Sequence, residues 1–263
     1  MILTFSKYHG RGNDFVMVDN RTDFFPKENK QLIANLCHRR FGIGGDGLIL
    51  IENATDCDFN MVYYNSDGAE STMCGNGGRC LVAFAKQLGI IESKAVFRAV
   101  DGLHTATIDE QNQVALQMID VSEVQTKDAS FFLNTGSPHH VELVADVKNI
   151  DVYNLGKTIR ESDVYAPGGT NVNFVQQLNP NTFKIRTFER GVEAETLSCG
   201  TGATAVALAM YTAKHTASSS VQIQVEGGDL RVDFEYGNQG FKQVYLTGPA
   251  TFVFQGNVEI SLS

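Results

Sequence analysis

Two cysteines open two glycine-rich stretches, Cys74-Gly75-Asn76-Gly77-Gly78-Arg79-Cys80 and Cys199-Gly200-Thr201-Gly202-Ala203, each leading into an apolar run with helical spacing. A cysteine at a helix start meets unpaired backbone N–H groups and the positive end of the helix, which stabilise a thiolate, and the glycines let a ligand approach the backbone. The segments Glu70 to Gly77 and Glu195 to Gly202 align at an offset of 125 residues in a chain of 263. Two such thiols suit a stereoinversion: a thiolate takes a proton from one face of a carbon atom, and a thiol returns one to the other face of the planar intermediate. Charge then spreads onto a neighbouring carboxylate, for which helix N-termini supply donors without a metal. Cys37, Cys57 and Cys80 lack this setting and read as small buried hydrophobes.

The elements around these residues are mostly strands. Short alternating or apolar runs lie at Phe15 to Asp19, Leu48 to Glu52, Asn60 to Tyr64, Val114 to Met118, Phe183 to Phe188, Val221 to Val225 and Leu230 to Phe234. Connections such as Gln177 to Thr182 and Glu226 to Asp229 are short, which favours antiparallel pairing. Besides the two helices after the cysteines, a stretch opened by Pro26 and running to Arg39, and Asp151 to Glu161, read as helical. The repeat offset predicts a duplicated domain, residues 1–118 with 251–263 forming one half and 119–250 the other, and Thr251 to Ile260 returning as a strand to the first half. Gly42-Ile43-Gly44-Gly45-Asp46-Gly47 fits the dinucleotide pattern G-x-G-x-x-G, but a helical stretch precedes it and a strand follows, so it reads as a helix-to-strand turn.

Composition narrows the function classes. Hydrophobic residues make up 43% of the chain, enough for one large or two smaller cores. Net charge is −9 with no Lys/Arg stripe, so a nucleic-acid partner is not expected. The absence of a long apolar run argues against a membrane partner. Five cysteines without a CxxC pair fit a reducing, cytoplasmic setting.

The chain resembles the diaminopimelate epimerases over nearly its whole length. The resemblance rests on Gly12-Asn13-Asp14-Phe15, Gly42 to Gly47, Tyr64-Asn65-Ser66-Asp67-Gly68, Cys74 to Gly77, Ser137-Pro138-His139, Thr170 to Phe174, Glu189-Arg190-Gly191 and Cys199 to Gly202, in that order. It implies an α+β fold of two pseudo-symmetric domains, each a mixed, mostly antiparallel barrel-like sheet around a central helix, with the active site in the cleft between them. It also implies interconversion of LL- and meso-diaminopimelate, a small-molecule substrate, with no cofactor, neither pyridoxal phosphate nor metal. A homodimer is the family expectation.

Carried over by position, Cys74 and Cys199 resemble the acid/base pair, with Gly75, Asn76, Gly200 and Thr201 around the reacting carboxylate. Asn13, Asn65, Asn171 and Arg190 resemble substrate-holding residues, the last three chiefly at the unreacting end; His139 and Glu189 resemble groups that set the cysteines' protonation. Many relatives have Gln where this chain has Gly47 and Asn where it has Ser137, and water or backbone is expected to replace the lost amide. Proline or hydroxyproline racemases and epimerases are the enzymatic alternative, and a thiol redox switch the non-enzymatic one.

Overall fold

The structure, a computed structural model, describes residues 1–71 and 73–260; Thr72 of the aligned repeat and residues 261–263 lie outside the described residues. The chain divides into two compact units, one of Met1–Leu116 with the stretch from Gly248 onward, the other of Gln117–Thr247.

In the first unit the elements are β1 (Ile2–Gly10), β2 (Asn13–Asp19), α1 (Lys30–Cys37), β3 (Gly47–Glu52), β4 (Phe59–Asn65), α2 (Gly75–Gln87), β5 (Lys94–Ala99), β6 (Gly102–Ile108) and β7 (Gln113–Gln117). Strands adjacent in sequence pair with one another. The β1–β2, β3–β4, β5–β6 and β6–β7 pairs are antiparallel, while β2–β3 and β4–β5, each bridged by a helix, are parallel. The C-terminal strand Thr251–Glu259 adds to the open side of β1, antiparallel. Helix α2 packs against β1, β2, β3 and β6, so the sheet curls around it. That enclosure explains why Gly75 to Ala85 are all buried, and why β3 reads as an unbroken apolar run and not an alternating one.

The second unit repeats the plan with β8 (Gln125–Lys127), β9 (Ser130–Asn134), β10 (Pro138–Leu143), α3 (Val152–Arg160), β11 (Asn171–Asn179), β12 (Thr182–Glu189), β13 (Ala194–Thr196), α4 (Gly200–Thr212), β14 (Ser220–Val225), β15 (Gly228–Gly237) and β16 (Gly240–Pro249). Here β8–β9, β9–β10, β11–β12, β14–β15 and β15–β16 are antiparallel, and β10–β11 and β12–β14 are parallel. Allowing for the short extra strand β13, which folds back on the end of β12, the succession of directions matches the first unit, with β8 standing where the C-terminal strand stands there. Helix α4 is enclosed by β9, β10, β11, β14 and β15.

One helix boundary differs from expectation. Pro26 does not open α1; the helix starts at Lys30, because the Asn29 side chain accepts from the Leu32 N–H and caps it, and it ends at Cys37. Among the described residues no helix is long and apolar enough to cross a membrane.

Candidate functional site

Each cysteine is the N-cap residue of the helix its unit encloses. Cys74 has extended backbone (φ −108°, ψ 125°) before α2, and Cys199 likewise (φ −117°, ψ 109°) before α4. The helical ladder begins with Gly78 N–H to the Cys74 carbonyl at 2.7 Å and Ala203 N–H to the Cys199 carbonyl at 2.9 Å. The N–H groups of Gly75, Asn76 and Gly77, and of Gly200, Thr201 and Gly202, therefore lie outside the ladder, at the positive end of the helix dipole. Gly202 also permits close packing: a Cβ there would sit 2.5 Å from Asn173 Oδ1 and 3.3 Å from the Cys199 sulfur.

In the first unit Asn13, Cys74, Asn76 and Gly75 come together. Asn13 Oδ1 accepts from Asn76 Nδ2 at 3.1 Å and from the Cys74 thiol at 3.7 Å, while Asn13 Nδ2 donates to Asp46 Oδ2 at 2.7 Å. Asp46 belongs to the glycine-rich turn between α1 and β3. Arg39 donates to it at 2.6 Å and to Asp14 at 2.6 Å, and Asp14 pairs with the buried Lys7 at 2.7 Å. Burial raises the Asp14 pKa, but hydrogen bonds from Arg39 and Lys7 and their charges outweigh it and hold the carboxyl at about 2. Asn65 ends β4 and lies opposite Gly47 in the β3–β4 ladder.

In the second unit His139, Thr201 and Cys199 form a line. His139 Nε2 lies 2.9 Å from Thr201 Oγ1, which lies 3.5 Å from the Cys199 sulfur. His139 is completely buried, and burial, with the Arg190 charge adding to it, pushes its pKa down to about 3. Asn171 donates to Ser137 Oγ at 2.8 Å and to the Pro138 carbonyl at 3.0 Å, and accepts from the Arg190 N–H at 2.9 Å. This clamp ties the start of β10 to the turn after β12. The Arg190 side chain donates to the Gly168 carbonyl at 3.2 Å, and Glu189 accepts from the Thr196 hydroxyl at 2.9 Å.

Several participants escape a reading of the sequence. Arg79, Asp46 and Asn173 lie inside motifs singled out for other residues. An arginine in the otherwise apolar run after Gly78 was the available signal for the first. At Gly47 the Tyr63 ring and the Tyr64 carbonyl crowd the backbone: a Cβ on Gly47 would stand 2.5 Å from Tyr63 Cε2, 2.5 Å from the Tyr64 carbonyl oxygen and 3.2 Å from the Tyr63 hydroxyl oxygen. Cys37 and Cys80 are buried and their pKa values are pushed up to about 12, chiefly by burial; Cys57 is only half-buried, its thiol donating to the Phe59 carbonyl.

Comparison with known proteins places this geometry in context. A family model described as "Diaminopimelate epimerase" matches residues 5–124 and 131–253. A diaminopimelate epimerase of Flavobacterium psychrophilum is 58% identical over 252 residues, covering 96% of this chain and 98% of that one. One of Chlorobaculum tepidum is 41% identical, covering 95% and 99%. Among solved structures, a phenazine biosynthesis protein of the PhzF family from Bacillus anthracis superposes with a TM-score of 0.80 at 12% identity, covering 99% of this chain and all of that one. A hydroxyproline epimerase from Agrobacterium vitis superposes with a TM-score of 0.69 at 14% identity, covering 98% and 92%. These two structural likenesses speak for the fold alone.

Proposed function

This chain belongs to the diaminopimelate epimerase family and is an isomerase of that class; from that premise we propose that Cys74 and Cys199 divide the two proton transfers that interconvert LL- and meso-diaminopimelate. The observation that carries the reading is the duplication of one chemical device. Each unit encloses a helix in a sheet of matching topology and places a cysteine at that helix's N-cap.

The thiolate removes the α-proton, and the other cysteine's thiol donates a proton to the opposite face of the carbanion. Charge developing on the carboxylate is met by backbone N–H groups after the cysteines, Gly75 and Asn76 in one unit, Gly200 and Thr201 in the other. One donor aimed at a developing oxyanion contributes about 3–4 kcal/mol, against about 0.3–2 kcal/mol for a helix dipole, so the directed amides carry the larger share. Arg190 offers a planar fork to the distal carboxylate. Asn65 and Asn171 border that end of the substrate, and Glu189 and His139 influence Cys199. The same reading places the enzyme in the cytoplasm, in lysine and cell-wall precursor synthesis, as a homodimer.

The test is isotopic. In D2O, freshly reduced protein given the LL isomer is expected to form early meso product carrying deuterium at the inverted carbon, while recovered LL substrate stays protiated. Substantial early deuterium in recovered LL substrate indicates one base serving both faces and removes the paired roles; no inversion removes the activity itself.

A further inference from the structure

Arg79 is an unusual residue to find inside α2. It is fully buried, its Nε has no hydrogen-bond partner among the described residues, and its terminal nitrogens donate to Asn76 Oδ1 at 2.7 Å and the Gly75 carbonyl at 3.3 Å. A guanidinium has donors only, so Asn76 must turn its oxygen toward it. That leaves Asn76 Nδ2 facing Asn13 Oδ1. At the other end Asp46 faces Asn13 with its carboxylate oxygen Oδ2 and holds Arg39 with Oδ1, so Asn13 turns Nδ2 toward it. Both ends demand the same orientation, and it leaves an amide oxygen against the Cys74 sulfur. Such an oxygen accepts from a thiol and repels a thiolate.

The second unit ends its relay the other way. Asn173 Nδ2 donates to the His140 carbonyl at 2.9 Å, which fixes that amide, and the same nitrogen faces His139 Nδ1 at 3.1 Å. Nδ1 is therefore the acceptor. The neutral imidazole carries its proton on Nε2 and donates to Thr201 Oγ1. The Thr201 proton is then free to point at the Cys199 sulfur, where it favours a thiolate.

We propose that the resting protein holds Cys74 as the thiol and Cys199 as the thiolate, with Arg79 and Asp46 as positioning residues that impose this through the Asn76–Asn13 amide relay. Its functional consequence rests on the reading of the two cysteines as an acid–base pair: the free enzyme starts with Cys199 as base and Cys74 as acid. Other charges bear on both sulfurs. Arg79 itself favours a thiolate at Cys74, and Cys80 and Arg11 lie within its electrostatic reach. The Asn13 oxygen prevails because it lies against the sulfur, whereas the guanidinium's terminal nitrogens donate to Asn76 and Gly75. Behind Asp46 stand Arg39, Asp14 and Lys7. Near Cys199 stands His139, reached through Thr201, and the Arg190 charge acts on His139. Burial alone argues for the opposite order, since Cys199 is the more buried cysteine.

Alkylation of the reduced full-length protein by iodoacetamide from pH 5 to 9, read at each cysteine by peptide mass spectrometry and scaled to its own plateau, tests the proposal. The Cys199 curve is expected to rise at least about one pH unit below the Cys74 curve. Coincident curves, or Cys74 rising first, overturn it. In Asn13→Ala the oxygen against the sulfur is gone, so the Cys74 curve moves to lower pH while the Cys199 curve stays. An unmoved Cys74 curve in a variant with a native circular dichroism spectrum refutes the relay, and the parent profile decides the protonation order whether or not the variant folds. Turnover of LL-diaminopimelate by the same sample separates the two readings: split curves without turnover sink the epimerase assignment alone, and turnover with merged curves sinks the relay alone.

Discussion

The N-terminal turns of α2 and α4 have the same backbone and opposite surroundings. Both present a cysteine at the N-cap and glycines in the first turn, and both helices are enclosed by a sheet of matching strand directions. Around Cys74 the partners are amides anchored by charge: Arg79 at one end, and Asp46 with Arg39, Asp14 and Lys7 at the other. Around Cys199 they are a hydroxyl and a buried neutral imidazole. Duplication preserves where a thiol sits, because the helix terminus is a backbone property. Its protonation is a property of side chains, and those have diverged.

The largest way to break the comparison is to remove a sulfur. Cys74→Ala and Cys199→Ala are each expected to lower kcat by about 10²–10⁴-fold or more in both directions, since either direction needs an acid and a base. A variant inverting LL-diaminopimelate at the parental rate would end the claim that the two positions are complementary.

A steric contrast follows at Gly77 and Gly202, which the repeat makes equivalent. In Gly202→Ala the new methyl meets Asn173 Oδ1, itself held by Thr187, and the Cys199 sulfur, so a loss of about 1–3 kcal/mol is expected in denaturant unfolding. In Gly77→Ala the obstacle is Ile49 Cδ1 at 2.9 Å, the mobile end of a side chain, and the gain in helix propensity offsets the shift. Equal losses would contradict the distinction between the two turns.

Acid sharpens the contrast further. His139 stays neutral in the folded chain down to about pH 3 but takes a proton near pH 6.5 when unfolded, so the unfolded state binds more protons in that window and stability falls as pH drops through it. Asp14 acts lower: its folded pKa of about 2 lies below its ordinary value, so the stability it contributes is complete above about pH 4 and lost on the way down to 2. In His139→Gln about 2 kcal/mol of the parental stability loss between pH 7 and pH 5 should vanish, read from urea midpoints at the two pH values. An unchanged difference would show that His139 is not buried neutral.

The smallest effect concerns substrate holding. Arg190→Lys keeps the charge but loses the planar fork, so KM for diaminopimelate is expected to rise about tenfold with kcat little changed. Wild-type kcat/KM would remove Arg190 from the distal clamp.

Local rules made much of this legible. Alternation and Asn/Gly turns marked strands to within a residue or two, as at β3 and β14, and the cysteine–glycine motifs marked the starts of α2 and α4. Pro26 misled because proline tolerates a first turn without requiring one, whereas Asn29 actively caps. Contacts resisted such reading. Asn13 and Asn76 lie 63 positions apart, and His139 and Thr201 lie 62 apart.

By itself, then, the sequence determined what is local. Backbone propensity and hydrophobic period place strands, helix termini and the thiols at those termini, and the 125-residue offset duplicates the arrangement. Only the tertiary structure decided which way each amide turns. That depends on which charged group meets it: Arg79 meets Asn76 from one turn along the same helix, but Asp46 reaches Asn13 from a turn 33 positions away. The same holds for the Tyr63 ring over Gly47, because Tyr63 and Gly47 become neighbours only when β3 and β4 pair.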